Sequence, residues 1–220
     1  MKKIFAVIIA CLAVLPQFAQ AEETKPIQLA LFDPIQLVPA SDSIRGLRLT
    51  VFYTANKDVS GLSLAMGVNR ATGDVNGVEI GLANWVEGPA YGGQLGFVNH
   101  AGKRFVGMQW GAVNVTEGDS TGLQLGFINW ADQYTNAVQL GAVNISKRGS
   151  VGGEIGIVNY NESSLDGFQA GIFNYAGEMH GLQLGLINYT KSLNGLQIGL
   201  GNYNGNKKPM EFMVLANWSF

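Results

Sequence analysis

The chain has 220 residues, 14 Lys and Arg against 16 Asp and Glu, 47% hydrophobic but only 14% charged residues, and 30 glycines. A soluble domain usually carries about 25% charged residues, so the surface is short of charge and lipid contact or extensive stacking is implied. The slightly acidic balance makes the chain a poor candidate for nucleic acid, and a single cysteine leaves no disulfide framework and no cysteine-based metal site.

Lys2 and Lys3 open the chain, Ile4 to Leu15 form an apolar run, and Ala19-Gln20-Ala21 precedes Glu22-Glu23. That order of parts predicts a secretory signal peptide over 1–21. Cys11 follows Ile8-Ile9-Ala10, loosely like a lipoprotein cleavage box, but the apolar stretch continues past it. Cys11 is therefore read as part of the leader, and the mature chain has no thiol. Loss of Lys2 and Lys3 takes the basic count from 14 to 12 against 16 acidic residues, a net charge of -4. The run is too short to span a membrane as a helix, and no later stretch supplies one. Residues 22–44, with Pro34 and Pro39 and a possible strand at Ile27 to Phe32, read as a lead-in to a β-repeat domain over 45–220.

The repeat reads GLQLGFINW at Gly122 to Trp130, GLQLGLINY at Gly181 to Tyr189 and GLQIGLGNY at Gly195 to Tyr203. Its Asn falls every 15 residues from Asn69 to Asn174, then at Asn188, Asn202 and Asn217. An earlier unit, Gly46 to Tyr53, fits without the Asn, and the count comes to 12 strands. Each unit predicts one nine-residue strand and one turn. Alternation splits the strand into two faces. Face one is greasy: Leu123, Leu125 and Phe127, with Asn129. Face two is small, with a polar centre in nearly every unit: Arg48, Glu79, Gln94, Gln109, Gln124, Gln139, Glu154, Gln169, Gln183 and Gln197.

Two architectures fit. The favoured one is an all-β, 12-stranded up-and-down outer-membrane β-barrel, face one toward lipid and face two lining the lumen. Nine residues at about 3.3 Å each, tilted about 40°, reach roughly 23 Å, close to the apolar band of such barrels. Trp85, Trp130, Tyr160, Tyr175, Tyr189, Tyr203 and Trp218 would form interfacial belts, and the terminal Phe220 resembles a barrel-assembly signal, although its register puts it on face two. The alternative is a β-solenoid with 15-residue coils, in which Asn and Gln stack into ladders. It is disfavoured here because face one finds no second wall to pack on.

The GLQLGxxN units, from Gly46 to Phe220, resemble bacterial surface repeat-containing proteins. The resemblance implies a location in the outer membrane or at the cell surface and carries no activity. Some of those proteins also bear a polyester synthase label, but the mature chain lacks the Cys nucleophile of that chemistry. His100 and His180 lie in or beside turns, 80 residues apart, and read as solvated. Glu79 and Glu154 read as variants of the Gln row. No residue is assigned a catalytic, cofactor-binding or metal-binding role. The expected function is non-enzymatic: a structural or weakly pore-forming envelope protein in contact with outer-membrane lipid, or alternatively a surface binding module for an extracellular partner.

Overall fold

A computed structural model describes residues 23–207 and 210–220; the expected signal peptide and Pro209 lie outside the described residues. The chain winds into a β-solenoid of about ten turns. The coil that starts at Ser120 shows the plan. A long arm, Ser120–Leu125, is followed by a bend at Gly126 and Phe127. A short arm, Ile128–Ala131, and a turn over 132–134 close the coil. Long arms pair in parallel with long arms and short arms with short arms, so Gln124 sits over Gln109 and Asn129 over Asn114.

Parallel pairing between residues 15 apart overturns the barrel, whose neighbouring strands must run antiparallel. The nine-residue strand expected at Gly122 to Trp130 is two strands divided by a bend. Gly126 permits that bend. A Cβ there would lie 2.7 Å from both the Asn114 amide nitrogen and the Gly111 carbonyl oxygen. Gly122 has a separate reason. Its φ is +122°, and a Cβ would stand 2.0 Å from the Gly107 carbonyl oxygen. Only glycine tolerates that approach of coil on coil.

The solenoid's inside is the polar face. Gln124 and Asn129 are fully buried, while Phe127 is 65% exposed. The second wall expected to be missing is not required, because Leu123, Leu125 and Phe127 of face one lie on the outer surface. The bend shifts the alternation, so that Asn129, read on the same face, turns inward while Ile128 and Trp130 turn out. Between the two arms run the ladders. Asn114 donates to Asn129 Oδ1 at 2.9 Å and Asn129 to Asn144 Oδ1 at 2.8 Å. Gln124 donates to Gln109 and Gln139 to Gln124, both at 2.7 Å. The two rows run with opposite polarity along the axis. Asn129 Nδ2 also donates to the Leu140 carbonyl at the next bend, at 3.0 Å. A buried amide is tolerable only when bonded, and in-register stacking provides each one with the same partner in the next coil.

Both ends are capped. Thr24–Phe32 forms the first rung, parallel to Ser43–Thr50, and Ile35–Gln36 folds back antiparallel over it. At the other end Phe212–Ser219 pairs antiparallel with the last coil. Asn217, expected as one more step of the Asn ruler, lies instead beside Gln197 in that cap. The phase is reset at Leu215, whose φ is 69°. Phe220 and Trp218 are exposed on this cap and belong to no barrel strand.

Candidate binding surface

The bend edge concentrates the apolar residues. Four outward rows run along the stack, each with the same position of successive coils: Val78 to Leu196, Ile80 to Ile198, Leu82 to Leu200 and Ala83 to Gly201. In the Ser120 coil they are Leu123, Leu125, Phe127 and Ile128. None of the four rows contains a polar or charged residue. Coils stack about 4.8 Å apart and residues advance about 3.3 Å, so nine coils make a strip roughly 40 Å by 15 Å. The largest apolar patch on an ordinary soluble monomer is about 300–600 Å², and this strip reaches that limit before the apolar caps are added.

An aromatic row borders the strip on the short arms. Tyr160, Tyr175, Tyr189 and Tyr203 stack with centroids 4.7, 5.4 and 4.6 Å apart. Trp130 belongs to the same row. Its indole N–H donates to Asp132 at 2.8 Å, and Lys147 lies 4.4 Å above its ring. Beyond it, on the turn edge, are Glu117, Asp132, Lys147, Arg148 and Glu162. Across its width the solenoid thus passes from charged turns through amphipathic rings to bare hydrocarbon.

His100, expected to be solvated, is buried. It stacks on Trp85 at 3.9 Å and meets Glu117 at 3.1 Å. The repeat itself carries the signal for this, since His100 occupies the aromatic position of its unit. His180 is exposed and meets Asp166 at 2.6 Å. Glu79 and Glu154 do lie in the Gln row, five coils apart along one ladder, and do not face each other. Glu79 is paired with Arg48 at 2.8 Å, both fully buried. Burial pushes the Glu79 carboxyl up and the Arg48 guanidinium pulls it back. Glu154 is held only by neutral groups: Gln169 at 2.8 Å, Asn161 at 3.3 Å, Ser146 and Ser150. Burial drives its carboxyl upward, only partly offset by these hydrogen bonds.

Among the described residues no three His, Cys, Asp or Glu side chains gather as a metal site, and no helix is long and apolar enough to cross a membrane. Comparison with family models, with curated proteins and with solved structures yields no match.

Proposed function

We propose that the chain is an exported, non-enzymatic binding module of the cell envelope that lays its apolar bend edge flat on lipid. The observation that carries this is the unbroken strip of four rows without one polar side chain. A solvent-facing sheet normally alternates with polar residues; here the polar residues have been taken inside. Tyr and Trp rows suit the boundary between hydrocarbon and water, where one end of the ring is apolar and the other wet. The charged turns lie on the far edge and stay in water. The contact resembles that of an interfacial helix, with an apolar face sunk about 5–10 Å into the headgroup boundary. No lysine or arginine lies in the strip, so binding draws on buried apolar area and not on anionic lipid.

Vesicle flotation tests this. The mature chain floats with phosphatidylethanolamine vesicles and does so equally at low and high salt. Phe127→Asp combined with Leu186→Asp leaves it at the bottom of the gradient. A wild-type chain that does not float, or that dimerises through the strip with vesicles present, refutes the reading.

A further inference from the structure

Beside the N-terminal cap the outer surface sinks into a trough of about 850 Å³. Its lining crosses five successive rungs: Ile35 on the cap strand with Leu37 just after it, Leu31 on the first rung, Leu49 on the next, then Leu64 with the bend residue Met66, and Ile80. At about 4.8 Å per rung, its floor is roughly 19 Å long. Pockets that enclose small ligands span about 300–1,000 Å³.

The chemistry of the lining selects the occupant. No lining residue is charged. The backbone of the floor is consumed by coil-to-coil pairing, with Val51 N–H on Ala30 and Phe52 N–H on Leu31. The side-chain amide of Gln36 donates to Val38 and Ala55 and its oxygen accepts from Thr54. The Thr50 hydroxyl is buried and has no hydrogen-bond partner, the one unsatisfied buried side-chain group among the described lining residues. A peptide lying here would find no free backbone group on the floor to pair with, the interaction that gives an added strand its affinity. A hydrocarbon chain needs no such pairing. We infer that this trough is a binding site for one long acyl chain, whose head group projects into water and is not recognised. The site goes beyond lipid docking by the strip, since it binds single chains in the absence of a bilayer.

The test is calorimetry of the folded mature chain with decanoic, dodecanoic, tetradecanoic and hexadecanoic acids, each below its micelle threshold. One molecule binds per chain. Affinity rises about fourfold for each methylene the trough covers and levels off once it is full. The alcohol of the same length binds as tightly as the acid. Met66→Asp and Leu37→Asp, both on exposed side chains, each abolish binding, while Phe127→Asp leaves it unchanged. Binding of many molecules per chain, equal loss in Phe127→Asp, or a strong preference for the carboxylate overturns the site. Flotation lost with acid binding kept removes the strip's function and leaves the trough; the opposite result removes the trough alone.

Discussion

The coils from Ile44 to Phe105 and those from Ser120 to Asn161 share one backbone plan and differ in what fills the turn edge. In the first group Ile44, Val59, Val75 and Phe105 pack against Ala71, Val86 and Ala101 in an apolar cluster. In the second, Ser120, Thr135 and Ser150 occupy the same position, and Thr116, Ala131, Ser146 and Asn161 stand opposite. The apolar filling returns with Leu165, Ala176, Met179 and Leu193. The Gln row differs in parallel: its first carboxylate, Glu79, has Arg48, and its second, Glu154, has no cation. The coil geometry therefore comes from the glycines and the Asn and Gln ladders, while the turn edge sets how stable each stretch is. The middle coils, with the Ser120 and Thr135 hydroxyls lacking partners, are the weak stretch.

The largest effect belongs to the paired carboxylate. Arg48→Met strands Glu79 as a buried charge and costs about 3–5 kcal/mol in chemical denaturation. Arg48→Met with Glu79→Gln recovers most of that loss, because the stranded charge is gone. No recovery in the double variant would mean that Arg48 matters for packing alone.

Glu154→Gln has the opposite sign. With its folded-state pKa raised, Glu154 keeps its proton at pH values where the unfolded chain, near pH 4.3, has lost it. Its contribution is fully present below about pH 4.3 and declines as pH rises toward the folded value. The variant is therefore more stable than wild type at pH 7, by about 1–3 kcal/mol, and its stability falls less between about pH 4.5 and 7. Thermal melts across that range check it; an unchanged pH slope contradicts it.

The smallest effects sharpen the contrast of the turn edges. Thr135→Val removes an unpartnered hydroxyl and gains up to about 1 kcal/mol, whereas Val75→Thr, in the apolar group, loses about 1–2 kcal/mol. Equal shifts at the two positions would erase the distinction between the stretches.

Much of this is legible in the sequence. The repeat length, the Gln and Asn rows and the two faces of the long arm are patterns of side chains, and side chains alternate in any strand. In the short arm the alternation is shifted by the bend, so Asn129, read on the greasy face, is buried. Which face turns inward is not a local property. Leu123, Leu125 and Phe127 look like a core by hydrophobicity. They lie outside because near the bend the coil closes around glycines and stacked amides, and the large buried side chains such as Phe105 and Met179 sit at the turn edge. The bend at Gly126 is hidden too, since Gly also recurs inside the arms, at Gly122. Asn217 keeps the spacing of the ruler while the chain reverses direction, and spacing alone carries no direction. The aromatic row, by contrast, is readable as a feature of strand ends, and its lateral stacking follows from the register.

Everything proposed for the outer surface depends on the inversion of faces. Single-thiol labelling probes that inversion cleanly, because the chain's only cysteine, Cys11, lies in the expected leader. Phe127→Cys and Gln124→Cys are each exposed to a water-soluble maleimide, with and without vesicles. Phe127→Cys should label rapidly in water and be protected when vesicles are added, and Gln124→Cys should not label until the chain is unfolded. Labelling of Gln124→Cys in the folded chain, with Phe127→Cys inert in water, would mean that the greasy face is the inner one after all.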